Sequence, residues 1–82
     1  MELARTPAQI GNAVRRARKK RGWSQTDLGT AAGLRQETIS LIETGHGAAK
    51  LETILGVLSA LGLELRISPR TTSSAADIEA LF

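Results

Sequence analysis

Residues 24–43 constrain the fold of this chain most strongly, because they have the pattern of two short helices joined by a tight turn. Ser24 precedes the apolar positions and Asp27 follows it by three residues, which is the spacing of a capping box at a helix start. Gly33 separates the two helices. The apolar positions at helical spacing are Leu28, Ala31 and Ala32 in the first helix, and Ile39 and Ile42 in the second. This pattern predicts a helix-turn-helix unit.

The second helix of this unit begins with Arg35 and Gln36, and no Ser, Thr, Asp or Asn is present to cap it. A missing cap costs about 1 kcal/mol, so long polar side chains at this position favour a binding role. Arginine binds guanine and glutamine binds adenine through paired hydrogen bonds in the DNA major groove. We therefore predict that Arg35 and Gln36 read bases; the alternative is that both are ordinary surface residues.

Weaker contacts are expected from the neighbouring polar side chains. Gln25, at the start of the first helix of the unit, is placed to meet a phosphate near a positive helix end. Thr38 and Ser40 suit a thymine methyl group or a phosphate. Glu37 suits either an intrahelical contact or the amino group of cytosine.

Two further helices flank the unit. Thr6, Pro7 and Gln9 suit a capping box and first turn, and Gly22 ends that helix. A fourth helix is predicted over about residues 49–61. The apolar stripes that would face a shared core are Ile10, Ala13, Val14 and Ala17 in the first helix, and Leu51, Ile54, Leu55, Leu58 and Leu61 in the fourth.

Residues 63–68 alternate apolar and polar side chains, which predicts a β-strand. A single strand with an apolar face has no partner in an otherwise helical chain. Pairing with the same strand of a second copy across a two-fold axis solves this problem, so we predict a homodimer. The dimerisation residues are predicted to be Leu63, Leu65, Arg66 and Ile67.

The chain is accordingly divided into a DNA-binding and dimerisation domain at residues 1–68 and a flexible tail at residues 69–82. Ser74 can cap a last helical turn over residues 77–82. Ile78, Leu81 and Phe82 would form one apolar side of that turn. This cluster suits a docking motif for a partner protein, and a disordered tail is the equal alternative.

Composition restricts the remaining function classes. Nine of the eleven Lys and Arg residues lie within residues 1–50, which favours a polyanionic partner for that half. The basic run at residues 15–21 surrounds much of a helix, so most of it is expected to be a solvated face. The chain has no cysteine, no apolar run long enough for a membrane span and no signal-peptide pattern, so a cytoplasmic location is expected.

No arrangement for catalysis is present in the sequence. His46 is the only histidine and lies in a short glycine loop without a nucleophile or acid that it would assist. We expect neither an enzyme nor a metal or other cofactor.

From residue 10 to residue 67 the chain resembles the Cro/C1-type (Xre-like) helix-turn-helix regulators. The resemblance lies in "RRARKKRGWSQTDLGTAAGL", "ETISLIETG" and "KLETILGVLSALGLELRI". It implies an all-α, lambda-repressor-like helix-turn-helix bundle of four to five helices, here with a C-terminal strand that pairs across the homodimer. It also places Thr26 near DNA and supports Arg35 and Gln36 as the start of the recognition helix. Two positions depart from the family pattern: Gly29 replaces a usual Ala of similar small size, and Lys50 replaces a usual Ser or Thr cap.

The fourth helix running into a strand is most similar to the HipB-type antitoxins. That resemblance implies a dimer that binds pseudo-palindromic double-stranded DNA operators, represses its own operon and holds a HipA-like Ser/Thr kinase toxin. Two alternatives remain open: a stand-alone Xre-type repressor without a toxin, and a protein-interaction module that does not bind DNA.

Overall fold

A computed structural model describes residues 3–70 and contains four α-helices. They are α1 (Pro7–Lys20), α2 (Gln25–Ala32), α3 (Gln36–Glu43) and α4 (Leu51–Ala60). The predicted all-α class and the four predicted helices are confirmed, and a fifth helix at residues 77–82 lies outside the described residues. None of the helices within residues 3–70 is both long and apolar enough to cross a bilayer.

Local capping fixes both ends of α1. The Thr6 hydroxyl accepts a hydrogen bond from the backbone N–H of Gln9 at 3.1 Å, and Pro7 occupies the first helical position. The predicted return bond of a capping box is shifted by one residue, because the Gln9 side-chain oxygen accepts from the N–H of Arg5. At the other end Gly22 adopts a left-handed φ of +71°, and the N–H of Trp23 donates to the carbonyl of Arg18.

The core lies where α1 and α2 pack around α3, with α4 against α2. Its buried apolar side chains are Val14, Leu28, Ile39, Ile42, Val57, Leu58 and Leu61. Burial of these side chains supplies the main favourable free energy of folding. Ala31, expected in the core, is exposed, and the buried small residue of α2 is Gly29 instead.

The predicted buried stripe of α4 is wrong at two positions, Leu51 and Leu55. Leu51 is 66% exposed and Leu55 is 42% exposed, whereas Val57 is fully buried. Both assignments satisfy helical spacing, since Ile54, Val57, Leu58 and Leu61 also follow an i, i+3, i+4, i+7 pattern. The sequence cannot choose between two overlapping apolar faces when only one of them meets α2.

Two glycines permit very close backbone approaches. A Cβ atom on Gly11 of α1 would lie 2.4 Å from the carbonyl oxygen of Ile42 at the end of α3. A Cβ atom on Gly29 of α2 would lie 2.6 Å from the carbonyl oxygen of Leu34. The expectation that alanine would fit equally well at position 29 is therefore not met by this turn.

Residues 63–70 form no helix or strand within the single chain. The N–H of Leu63 closes the end of α4 by donating to the carbonyl of Leu58 at 2.8 Å. Beyond this bond Arg66 pairs with Glu64 at 3.2 Å, as residues on one side of an alternating segment can. Leu65 and Ile67 are 52% and 94% exposed, so the predicted apolar face is uncovered in a single chain, and pairing with a second copy stays a prediction.

Candidate nucleic-acid interface

The turn between α2 and α3 positions the candidate interface. The Ser24 hydroxyl accepts from the N–H of Asp27 at 3.0 Å, and the Asp27 carboxylate accepts from the N–H of Ser24 at 2.8 Å. The predicted capping box is thus confirmed. The hydrogen bond that the carboxylate accepts from the Ser24 backbone is the main cause that holds the pKa of Asp27 below its ordinary value. Gly33 then turns the chain with a left-handed φ of +71°.

The start of α3 carries no side-chain cap, as the sequence predicted. Arg35 occupies the N-cap position with an extended backbone and makes no capping hydrogen bond. Its side chain and that of Gln36 are both exposed. The first N–H groups of a helix point outward and form its positive end, which attracts phosphate. Two long polar side chains therefore project beside a positive helix end.

Gln36 is held by a side-chain hydrogen bond from the preceding helix. Its amide nitrogen donates to the side-chain oxygen of Gln25. The amide nitrogen of Gln25 in turn donates to Oε1 of Glu43 at 3.3 Å. The sequence placed Gln25 only as a phosphate contact, whereas the structure shows it half-buried and linking α2 to both ends of α3.

This link ends on a buried ion pair that sequence reasoning missed. Arg18 of α1 donates from Nε to Glu43 Oε2 at 2.7 Å and from Nη2 to Oε1 at 3.0 Å. Its remaining terminal nitrogen donates to the carbonyl of Trp23 at 2.8 Å. The hydrogen bond to Glu43 is the main cause that raises the pKa of Arg18 above its ordinary value.

A sequence signal for this pair did exist. Arg18 follows the buried Val14 by four residues in α1, and Glu43 follows the buried Ile39 by four residues in α3. Residues four apart lie on the same helix face, so both charges belong to core-facing stripes. Opposite charges on two such stripes indicate a buried pair rather than part of a solvated basic run.

The other predicted contact residues differ in their exposure. Thr26 is exposed in the first turn of α2, and Thr38 and Ser40 are half-buried on α3. The carbonyl of Ser40 accepts from the Thr44 hydroxyl at 3.1 Å, which closes the end of the helix. Among the six predicted DNA-contact residues, a side-chain hydrogen bond joins Gln25 to Gln36.

The basic run of α1 divides into different environments. Arg15, Arg16, Lys19 and Lys20 are exposed, as expected for a solvated face. Arg18 is buried, and Arg21 lies over the Trp23 ring with its guanidinium carbon 5.0 Å from the ring centroid. The run is therefore not one uniform patch.

No group of three or more His, Cys, Asp or Glu side chains within residues 3–70 is arranged to hold a metal ion. His46 closes its own loop, since its Nδ1 accepts from the N–H of Ala48 at 3.4 Å.

Comparison with known proteins gives consistent matches. Residues 14–67 match the Helix-turn-helix family. The chain is 30% identical over 74 residues to antitoxin HipB of Escherichia coli (strain K12), which covers 90% of this chain and 84% of that protein. It is 36% identical over 63 residues to the uncharacterised HTH-type transcriptional regulator y4mF of Sinorhizobium fredii, which covers 77% of this chain and 83% of that protein.

Solved structures match in fold as well. A chain from the HipA-HipB-O2-O3 complex superposes with a TM-score of 0.79 at 28% sequence identity, covering 87% of this chain and all of that chain. A chain from the HipB-O4 20mer complex gives the same values.

Proposed function

The chain belongs to the Cro/C1-type helix-turn-helix family, and from that premise we propose that it is a sequence-specific DNA-binding repressor that acts as the antitoxin of a HipBA-like pair. The observation that carries the DNA-binding half is the uncapped start of α3, where exposed Arg35 stands beside Gln36, whose amide is held by Gln25.

The polar side chains around this helix start suit distinct parts of a DNA duplex. Arg35 can bind the O6 and N7 acceptors of guanine, and Gln36 can bind N6 and N7 of adenine. Gln25 and Thr26, at the positive start of α2, suit phosphates. Thr38 and Ser40 provide further supporting contacts to a thymine methyl group or a phosphate.

Selective binding to an operator requires two copies of this helix-turn-helix unit, one for each half-site. In the proposed homodimer, residues 63–68 of two copies pair across a two-fold axis and cover each other's apolar face. The two α3 helices then lie about 34 Å apart, in successive major grooves of a pseudo-palindrome. The exposure of Leu65 and Ile67 in a single chain supports this arrangement.

The antitoxin half is supported by similarity over most of both chains. Antitoxin HipB of Escherichia coli is matched over 84% of its length. The superposition on the chain from the HipA-HipB-O2-O3 complex covers all of that chain. We propose that this chain represses its own operon and holds a HipA-like Ser/Thr kinase. Ile78, Leu81 and Phe82, outside the described residues, are proposed as a docking motif for that kinase.

Selection of bound sequences from a random duplex pool tests the DNA-binding proposal. We expect a two-fold symmetric motif from the full-length chain. Arg35→Ala should lose about 1–3 kcal/mol of binding free energy and relax the preference at one base position in each half-site. Equal weakening on all sequences would make Arg35 a phosphate contact, and recovery of no motif at all would favour a module that does not bind DNA.

Lys50 offers a matched control for Arg35. It is also an exposed cation at the N-cap of a helix without a side-chain capping bond. Lys50→Ala should leave the selected base preferences unchanged, because α4 is not proposed to enter a groove. If the DNA motif selected by Lys50→Ala changed in the same way as the motif selected by Arg35→Ala, loss of charge alone would explain the effect.

Co-expression with the product of the adjacent gene tests the antitoxin proposal. We expect a kinase-like protein to co-purify with the full chain, and its growth inhibition to be relieved by this chain. Co-purification should weaken when Leu81 and Phe82 are both replaced by Ser. A chain that selects the same DNA motif but retains no such partner would be a stand-alone repressor.

A further inference from the structure

Arg21 joins the carboxyl ends of two helices that are distant in sequence. It is the C-cap residue of α1, and its Nη2 donates at 3.2 Å to the carbonyl oxygen of Leu61, the C-cap residue of α4. The same guanidinium lies over the Trp23 ring. Carbonyl groups in the last turn of a helix lack intrahelical donors, so Arg21 supplies a donor that the end of α4 needs.

The bond to Leu61 lies where the chain leaves the helical body. Gly62 follows with a left-handed φ of +69°, and a Cβ atom there would lie 3.2 Å from Arg21 Nη2. The backbone N–H of Leu63 then donates to the carbonyl of Leu58. All of residues 63–70 are exposed, so their direction relative to the body is determined over residues 61–63.

Arg21 also contacts the segment that leads into the α2–α3 unit. Trp23, under its guanidinium, precedes the cap of α2, and the carbonyl of Trp23 is bonded by Arg18 of the Arg18–Glu43 pair. One side chain thus contacts both the segment leading to α2 and α3 and the exit of the segment proposed to form the dimer. A planar guanidinium can stack on a ring and donate at its edge at the same time.

We propose that Arg21 is a positioning residue that fixes the angle between the α2–α3 unit and residues 63–68, and thereby the half-site spacing that the dimer selects. This inference rests on the proposed function. Because DNA makes one turn in about 10.5 base pairs, one added base pair rotates a half-site by about 34° around the duplex axis. A dimer that holds its two α2–α3 units at a fixed angle therefore discriminates strongly between half-site spacings. A dimer in which this angle varies does not.

Operator variants with altered spacing provide the first test. The spacer of the selected operator is lengthened or shortened by one and two base pairs, and binding is measured with full-length protein. We expect wild type to prefer its own spacing by about tenfold, since a rotated half-site loses its base contacts. Arg21→Gln should reduce this preference to about threefold or less, with unchanged base preferences within each half-site.

Two further variants separate positioning from charge. Arg15→Gln removes an exposed cation from the middle of α1, whereas the C-cap of that helix, Arg21, makes the bond to Leu61, so this variant should keep the full spacing preference. Arg21→Lys keeps the charge at the end of α4 but lacks the planar group, so it should also lose most of the preference. Full preference in Arg21→Lys or Arg21→Gln would overturn the positioning role.

A DNA-free measurement keeps this inference separable from the proposed function. The chain has no cysteine, so Ala31→Cys, at an exposed position of α2, gives one spin label per copy. Pulsed electron resonance between the two copies should give a narrow distance distribution in wild type and a broader one with Arg21→Gln. Equal widths would overturn the inference. Broadening without any DNA binding would support it while contradicting the proposed function.

Discussion

Glu43, the last residue of α3, forms a bidentate ion pair with Arg18 of α1. Arg18 Nε donates to Glu43 Oε2 at 2.7 Å and Arg18 Nη2 donates to Glu43 Oε1 at 3.0 Å. Their side chains are only 3% and 10% exposed. Glu43 also accepts a bond from Gln25, which accepts one from Gln36. The buried pair thus connects α1 to α3 and is linked through Gln25 to Gln36 at the candidate interface.

Removing one member of this pair should destabilise the fold strongly. Arg18→Met leaves the Glu43 carboxylate buried without its cation, and such a loss costs about 3–5 kcal/mol. The free energy of unfolding is measured in urea at one fixed protein concentration, because dimerisation would contribute to it. The double variant Arg18→Met, Glu43→Leu should regain most of the loss, since it buries no unpaired charge. A single variant within about 1 kcal/mol of wild type would contradict a dry, paired site.

Gln25 and Gln36 should be energetically coupled in DNA binding. If Gln25 orients Gln36, replacing either by Ala removes part of the contribution of the other. A double-mutant cycle on the selected operator should therefore give an interaction energy of about 0.5–3 kcal/mol. Thr26 serves as the control, because it is exposed on the same helix and is also a proposed contact. Additive losses for Gln25 and Gln36, as expected for Thr26 and Gln36, would show that the bond between the two amides has no role in recognition.

The helix boundaries followed from local chemistry that a sequence displays directly. Thr6 and Ser24 accept bonds from residues three positions ahead, and Gly22 and Gly33 adopt the left-handed turns that end α1 and α2. The uncapped start of α3 at Arg35 is equally predictable from sequence, because a cap depends on one residue type at one position.

Features that depend on contacts between helices were harder to predict. The buried face of α4 turned out to include Val57 and exclude Leu51, since spacing alone allows both. Arg18 is one of six basic residues in the run at residues 15–21, and its role depends on Glu43, 25 residues away. Gln25 was recognised as a contact, but its bonds to Gln36 and Glu43 require the relative placement of α2 and α3.

Leu65 should be essential for the predicted homodimer. It is 52% exposed in a single chain, and strand pairing would place it on the covered apolar face. Leu65→Asp is expected to give a monomer of about 8.7 kDa in sedimentation equilibrium, where wild type gives twice that mass. Leu41→Asp is a matched control, because Leu41 is 49% exposed on α3, outside the predicted dimer segment. A dimer that persists in Leu65→Asp would exclude pairing through residues 63–68.

The capping box of α2 should give a pH-dependent contribution to stability. The pKa of Asp27 is lower in the folded chain than in the unfolded chain, so the folded state binds a proton less readily. Its contribution is therefore complete above the ordinary aspartate pKa of about 3.9 and is lost as the pH falls through the lower folded-state pKa. The stability advantage of wild type over Asp27→Asn, measured by urea unfolding at each pH, should shrink over this acidic window.

Ser24→Ala distinguishes the two halves of this box. It should cost about 1 kcal/mol at neutral pH, because the N–H of Asp27 loses its acceptor. The acid-dependent loss should persist in this variant, since the backbone N–H of Ser24 remains as the main donor to Asp27. Disappearance of the pH dependence in Ser24→Ala would assign the lowered pKa to the hydroxyl instead.

Two glycines in helix interiors should respond in opposite directions to the same substitution. Alanine favours a helix over glycine by about 0.5–1 kcal/mol. Gly56 of α4 has no neighbour within 4 Å of an added Cβ atom, so Gly56→Ala should raise the free energy of unfolding by about this amount. Gly11→Ala should lower it by about 1–3 kcal/mol, because the added atom would lie 2.4 Å from the carbonyl of Ile42 and force α1 away from α3. Since that movement would also strain the Arg18–Glu43 pair, the Gly11 variant should additionally weaken DNA binding, whereas Gly56→Ala should not. Stabilisation by both substitutions would show that α1 and α3 are not held at the close distance that Gly11 permits.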